Sequence, residues 1–247
     1  MEQSTKLSVT MKERKLEILL TVLYFSVSAI EVIAEYIKNT ALIYTFKPMI
    51  LLLLTTLYWV TSPKINRIYI AALLFSWLAN LFFVSSDFND IFIGASLFFF
   101  YRVLSIYIVI KHIRLPGVFP IVVGCVPFLF IYMYLINLTY EDIGEGLVIF
   151  ITQCILISFL GGLSVGNYIL RSNKASTMLL LSTLFFAVTQ FIFVIRLYYV
   201  DVNIFQPIAM TLFVVGQYMF YKFIILAEDS KVNVQIFEES TNDSEIL

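Results

Sequence analysis

The chain has 247 residues, of which 60% are hydrophobic and 13% are charged, and its mean hydropathy is +0.92. Soluble domains carry about 25% charged residues, so this composition excludes a soluble globular protein and predicts a polytopic membrane protein. The 16 Lys and Arg residues nearly balance the 17 Asp and Glu residues, for a net charge of -1. Bulk electrostatics therefore give no reason to expect a nucleic-acid partner.

Apolar stretches follow one another along most of the chain, and a helix needs roughly 20 such residues to cross the hydrocarbon core. The predicted fold is all-α, a single bundle of eight transmembrane helices. We expect residues 1–15 to form a cytoplasmic N-terminal segment, 16–227 the transmembrane domain and 228–247 a disordered, acidic cytoplasmic tail. The predicted spans are 16–37, 41–61, 66–84, 90–110, 118–137, 145–170, 175–200 and 203–227.

The loops between these spans differ in charge and predict the orientation. Basic residues gather before span one and after spans two, four and six, at Lys6, Lys12, Arg14, Lys15, Lys64, Arg67, Lys111, Arg114, Arg171 and Lys174. Acidic residues dominate the alternate loops, at Asp87, Asp90, Glu141, Asp142, Glu145 and Asp201. Because Lys and Arg concentrate in cytoplasmic loops, both termini are expected in the cytoplasm. We expect an integral protein of a bacterial inner (cytoplasmic) membrane.

Several polar side chains interrupt the apolar spans. They are Glu31, Glu35, Lys47, Asn80, Arg102, Gln190, Arg196 and Gln217. Ionisable groups within spans usually face the bundle interior or a water-filled cavity. Their positions along the spans place most of them between the bilayer centre and its outer face, so they could line one polar pocket. The alternative is that paired, snorkelling side chains only hold the bundle together.

Metal and cofactor chemistry has little support in the sequence. Cys125 and Cys154 lie in apolar runs, where inert buried thiols are the rule. The single histidine, His112, lies in the basic loop "KHIR". These residues make neither a zinc site nor a Ser-His-Asp triad, and no cofactor is expected.

Small residues in the sixth span predict close helix packing. The stretch "SFLGGLSVG" places Ser158, Gly162 and Gly166 four residues apart. Residues this small let two helix backbones approach each other within a membrane. The sequence does not indicate the oligomeric state.

Five short motifs in fixed order carry a family resemblance. They are "TFKPMILLL", "LLFSWLANLFFV", "FIGASLFFFYRVLSIY", "STLFFAVTQFIFVI" and "VVGQYMFY", within residues 41 to 225. Together they resemble the YhhN-like family of eight-span membrane proteins, whose characterised members are lysoplasmalogenases. The resemblance implies cleavage of the vinyl-ether bond of a lysophospholipid, with a lysophospholipid or other membrane lipid as partner.

The resemblance also implies site residues, several of which differ in this chain. The family pattern has a Lys-Pro at Lys47 and a glutamine at Gln217, and both are present. It has aspartates where this chain has Asn80 and Gln190, and a histidine where this chain has Arg102. The frame of the site is therefore kept, while both family aspartates and the histidine are replaced.

The replacements bear on catalysis. Vinyl-ether hydrolysis needs a proton delivered to carbon and then attack by water, which suits a buried carboxyl group and a carboxylate. An amide keeps hydrogen-bonding capacity but can serve neither purpose. Either the protein keeps a lysophospholipid-sized pocket and has lost catalysis at Asn80 and Gln190, which we favour, or Glu31 and Glu35 act as relocated acids.

Further expectations concern the ligand and a third class of function. Arg suits bidentate contact with phosphate, and Lys acts as a point charge. The residues expected to hold a lipid headgroup are Lys47, Arg102, Arg196 and Gln217. At least one of Glu31 and Glu35 should pair with Lys47 or an arginine. A small-molecule transporter is the third possibility, suggested by the charges within spans and by a faint likeness between "LFSWLANLFF" and "LFFAVTQFIF".

Overall fold

The computed structural model describes the backbone of residues 2–85 and 87–245, and the side chains of residues 14–85 and 87–230. Within these residues it is all-helical, without strands. A one-turn 3-10 helix, Gly144–Gly146, joins α5 to α6. The α-helices are α1 (Glu2–Tyr36), α2 (Thr40–Thr61), α3 (Arg67–Phe82), α4 (Phe88–His112), α5 (Val118–Ile143), α6 (Leu147–Leu170), α7 (Lys174–Tyr198) and α8 (Phe205–Glu245).

The helices support membrane insertion but not the exact number of spans predicted. Six helical segments in the described residues are long and apolar enough to cross a membrane. One of these, Val118–Leu170, has 53 residues and contains both α5 and α6. Helix α3 has 16 residues, which at 1.5 Å per residue covers about 24 Å, less than the roughly 30 Å of a typical hydrocarbon core. The count of eight spans is therefore not established by length and composition.

The backbone of α8 continues beyond the apolar segment. Its apolar part is Phe205–Ser230, whereas the helix itself continues to Glu245. Most of the segment predicted as a disordered tail is thus helical in backbone. A helix already formed adds residues at low cost, since nucleation is the costly step. The division of the chain into three parts stays a prediction.

Asparagine side chains mark where three of the helices begin. Asn39, Asn66 and Asn173 are the N-cap residues of α2, α3 and α7, and each side chain accepts a hydrogen bond from a backbone N–H in the first turn. The first N–H groups of a helix have no partner within the helix. An asparagine N-cap satisfies one of them, so these loop residues set the starts of three helices.

Consecutive helices pair as α1–α2, α3–α4, α5–α6 and α7–α8, and α8 also packs against α1, α2 and α4. Buried tyrosines connect helices that are distant in sequence. Tyr24 of α1 donates a hydrogen bond to the Val214 carbonyl of α8, and Tyr132 of α5 donates to the Ala187 carbonyl of α7, both at 2.8 Å. Each bond satisfies a hydroxyl that would be costly to bury alone, so the tyrosines stabilise the packing of α1 on α8 and α5 on α7.

The close approach of α5 and α6 depends on glycine. A Cβ placed on Gly162 would lie 2.5 Å from the Ile121 carbonyl oxygen and would also overlap Cys125 Sγ. Facing it on α5, a Cβ on Gly124 would lie 3.0 Å from Gly162 Cα. The close packing predicted from the small residues of span six is confirmed at Gly162. By contrast, Gly166 faces Pro116, in the loop before α5.

Candidate functional site

A cavity of about 140 Å³ lies where α3, α4, α6, α7 and α8 meet, and Lys47 of α2 also lines it. Its wall is mostly aromatic and aliphatic, so it differs from the predominantly polar pocket expected from the sequence. The polar side chains in its lining are Lys47, Asn80, Arg102, Gln153, Thr189, Gln190, Tyr198 and Gln206. No Asp or Glu is among the described residues that line it.

The cavity follows α4 inward from one end of the bundle. Phe88, the first residue of α4, and Arg102 both line it. At 1.5 Å per residue these two positions are separated by about 21 Å along the helix. Phe88 lies near the helix ends marked by Gly146 and Tyr198, which also line the cavity. The cavity therefore leads from a helix-end region into the bundle, where Arg102 lies.

Asn80 of α3 and Gln190 of α7, which the resemblance assigns to the family's aspartate positions, line the same cavity. Asn80 is buried, and its Nδ2 donates to the Ser76 carbonyl at 2.8 Å. Gln190 accepts a hydrogen bond from Arg102 at 3.2 Å and donates to Cys154 Sγ at 3.7 Å. Both amides line the same cavity, and their hydrogen-bond partners are neutral groups and one cation.

Arg102 is the most unusual residue of the site. Its side chain is 1% exposed, and the described residues provide no carboxylate partner for it. Nη2 donates to Gln190 Oε1, while Nε and Nη1 have no hydrogen-bond partner among these residues. The rings of Phe98 and Phe186 lie 5.1 Å and 5.9 Å from the guanidinium carbon and offer partial cation–π stabilisation. A buried charge normally requires pairing, so this cation lacks a counter-charge.

Lys47 differs from Arg102, because it is paired. Its Nζ lies 2.8 Å from Glu35 Oε1 and 4.0 Å from Glu31 Oε1. The expected pairing of an intramembrane glutamate with Lys47 is therefore present. Gln206 Nε2 also donates to Glu35 Oε1, at 3.3 Å. Lys47 and Gln206 line the cavity, while the two glutamates of α1 lie outside its lining.

The two glutamates have different surroundings. Glu35 accepts from both Lys47 and Gln206, so its carboxylate is held as an acceptor. Glu31 is fully buried, and neither of its oxygens has a hydrogen-bond partner among the described residues. A relocated acid would have to reach a ligand in the cavity. Neither glutamate side chain lines the cavity.

Two further residues expected to bind a headgroup lie outside the lining. Arg196 lies near the end of α7, with its guanidinium carbon 5.9 Å from the centre of the Phe193 ring. Gln217 is fully buried, accepts from the Tyr101 hydroxyl at 3.3 Å and donates to Ser76 Oγ at 3.2 Å. We do not expect direct ligand contact from either side chain.

Sequence reasoning missed two amides that line the cavity. Gln153 of α6 donates to the Ala95 carbonyl at 3.0 Å, and its Oε1 is buried without a partner among the described residues. Gln206 bonds Glu35 from the first turn of α8. The signal was available for Gln153, a lone amide in the apolar run "VIFITQCILI". The described residues contain no group of three or more His, Cys, Asp or Glu side chains that could hold a metal ion.

The apolar helices and the cavity among them define an integral membrane protein with a candidate ligand-binding site inside its helical bundle. The YhhN family model matches residues 42–224, most of the chain, and the protein belongs to the YhhN family. The family resemblance seen in the motifs is thereby confirmed. No curated protein and no solved structure matches the chain.

Proposed function

We propose that this YhhN-family protein binds a lysophospholipid or a similar single-chain lipid in the cavity and does not hydrolyse vinyl ethers. The observation that carries the proposal is the cavity lining, where apolar side chains surround a buried cation and amides occupy both family aspartate positions. Sites for small ligands are commonly apolar with a few placed polar groups. A membrane lipid has both kinds of surface.

The size of the cavity limits how such a lipid could sit. An apolar cavity of about 150 Å³ holds a benzene-sized molecule, so the present 140 Å³ suits a headgroup or a short stretch of chain. The rest of an acyl chain would run along the aromatic wall and out between helices into the bilayer. Aromatic side chains contribute large contact areas to such a path.

The absence of hydrolysis follows from the chemistry of the lining. Proton delivery to the vinyl-ether carbon requires an acid within reach, about 3 Å from the carbon or through one water. The described lining contains no carboxyl group. The amides of Asn80 and Gln190 cannot act as the acid. The Glu35 carboxylate already accepts hydrogen bonds from Lys47 and Gln206.

The decisive experiment measures binding and cleavage on the same preparation. Purified protein incubated with lysoplasmenyl-ethanolamine is expected to bind the lipid, seen by native mass spectrometry and as a raised melting temperature, without releasing fatty aldehyde above the protein-free background. A preparation that neither carries nor binds single-chain lipid would overturn the proposal.

The same assay separates two other functions. Aldehyde release that disappears in Glu31→Gln or Glu35→Gln would identify a hydrolase with relocated acids. A transporter would instead move a small solute across vesicles that contain the protein. The geometry supports a hydrolase with relocated acids less, because neither glutamate lines the cavity.

We also propose eight membrane spans, with both termini in the cytoplasm of a bacterial cell. Helices α5 and α6 have 26 and 24 residues, each enough to cross roughly 30 Å, and they pack against each other on either side of a 3-10 turn. The basic loops assigned to the cytoplasm support this orientation. Helix α3 would cross with local thinning of the bilayer.

The orientation can be tested with single cysteines in a background where Cys125 and Cys154 are serine. Glu145→Cys, between α5 and α6, is expected to react with an impermeant thiol reagent applied outside intact cells. Lys64→Cys, between α2 and α3, should react only after the cells are opened. If Lys64→Cys is labelled in intact cells and Glu145→Cys is not, the proposed orientation is wrong. If neither cysteine is labelled in intact cells, α5 and α6 do not cross the membrane as two separate spans joined outside the cell.

A further inference from the structure

We propose that, among single-chain amphiphiles, the cavity binds most tightly those whose headgroup is anionic and lacks an ammonium group, with Arg102 as the residue that binds the anion. This inference rests on the proposed lipid-binding function and names the ligand class of the same site. The observation behind it is a buried guanidinium that lines a cavity with two of its nitrogens unpartnered among the described residues.

The hydrogen-bonding capacity of Arg102 is largely unused. A guanidinium has five N–H donors in a planar fork, and here only Nη2 has a partner, the neutral Gln190 oxygen. Phosphate and carboxylate groups match this fork with two parallel hydrogen bonds. Because the side chain is almost fully buried, an anion has to enter the cavity to reach it, and water then screens their attraction weakly.

The second cation in the lining does not compete for the anion. Lys47 is already paired with Glu35 at 2.8 Å, so its charge is balanced within the protein. Arg102 has no such partner among the described residues. The local excess of positive charge is therefore at Arg102.

The same lining disfavours zwitterionic headgroups. A choline or ethanolamine group brings an ammonium that needs a carboxylate or an open aromatic face. The described lining has no carboxylate. Other aromatic rings line the cavity as well, but the two rings at cation–π distance from Arg102, Phe98 and Phe186, already lie beside its guanidinium. An ammonium at these rings would meet a like charge, whereas lysophosphatidic acid, lysophosphatidylglycerol and fatty acids avoid this repulsion.

The test compares palmitoyl probes that differ only in headgroup, below their micelle-forming concentrations and in one detergent. Lysophosphatidic acid and lysophosphatidylglycerol are expected to bind at least about tenfold more tightly than lysophosphatidylcholine and lysophosphatidylethanolamine. In Arg102→Gln this preference should disappear, while binding of the zwitterionic probes persists. Arg171→Gln, which removes an exposed arginine after α6, is the matched control and should keep the preference.

A second variant, Gln190→Glu, tests the same inference in case Arg102→Gln does not fold. Gln190→Glu keeps the arginine and places a carboxylate where the Gln190 oxygen lies 3.2 Å from Nη2. It should pair with Arg102 and weaken binding of the anionic probes at least about tenfold. Its melting temperature without lipid should remain at or above that of the unmodified protein.

The outcomes separate this inference from the proposed function. If no probe binds, lipid binding itself fails. If all headgroups bind equally, or if the preference survives both Arg102→Gln and Gln190→Glu, lipid binding stands and the anion selectivity is wrong. Inorganic phosphate that binds as tightly as lysophosphatidic acid would show a site for a free anion and overturn the assignment to an amphiphile.

Discussion

Replacing Lys47 with methionine is expected to lower the free energy of unfolding by about 3–5 kcal/mol, the usual cost of breaking a buried ion pair from one side. Lys47 is 2% exposed and lies 2.8 Å from Glu35 Oε1 and 4.0 Å from Glu31 Oε1. Methionine would leave two glutamates without their shared cation. Thermal unfolding in detergent, with the lipid content held constant, measures the loss.

The chain provides a matched control for this prediction. Lys222 also lies 2.8 Å from a glutamate oxygen, on Glu17, but these side chains are 28% and 35% exposed. Pairs that water can reach contribute about 0–1 kcal/mol, and the Tyr218 and Tyr221 rings also lie near Lys222, so Lys222→Met should destabilise the protein clearly less than Lys47→Met. Adding Glu35→Gln to Lys47→Met should recover part of the loss, as a double-mutant cycle would measure. If Lys47→Met and Lys222→Met lower the free energy of unfolding equally, then burial does not make the Lys47 pair more important for stability.

Restoring the family residues at three positions is expected to produce vinyl-ether hydrolysis, while restoring two of them is not. In Asn80→Asp/Gln190→Asp the new carboxylate at 190 would lie within reach of Arg102, whose Nη2 is 3.2 Å from the present Gln190 oxygen. An arginine partner keeps a carboxylate ionised and so prevents it from donating a proton. Adding Arg102→His removes that permanent charge.

The measurement is aldehyde release from lysoplasmenyl-ethanolamine. A positioned general acid contributes about 10²–10⁴-fold, so the triple variant should exceed the unmodified protein by about that factor, and the double variant should not. Arg102→His alone, which adds no carboxyl group, is the control. If the double variant releases aldehyde as fast as an active triple variant, then pairing with Arg102 does not block catalysis.

Hydropathy located most of the helices, because membrane spans are defined by length and apolarity. The predicted span 41–61 corresponds to Thr40–Thr61, and 175–200 to Lys174–Tyr198. Hydropathy did not show that α8 continues as far as Glu245, because polar residues can extend a helix that is already formed. It also did not establish how many segments cross the membrane, since this depends on whether α5 and α6 cross separately and on whether the short helix α3 crosses.

The direction in which each polar side chain points was hard to predict. A helix that is apolar on all sides gives little periodicity from which to predict its rotation. Asn80 and Gln190 line the cavity as expected, whereas Gln217, of the same residue class, bonds Tyr101 and Ser76 outside it. The difference arises from how α8 packs against α3 and α4, and a single sequence does not report that geometry.

The pairing of Lys47 with the α1 glutamates joins α1 electrostatically to the part of the chain that the family model matches. The region matched to the family begins at residue 42, within α2, so it includes Lys47 but neither Glu31 nor Glu35. Within the region shared with the family, this lysine lacks its recorded counter-charges. Helix α1 is therefore more than a membrane anchor, because it provides the negative charge that lets Lys47 stay inside the bundle. Of the two cations in the described cavity lining, this leaves Arg102 without a counter-charge.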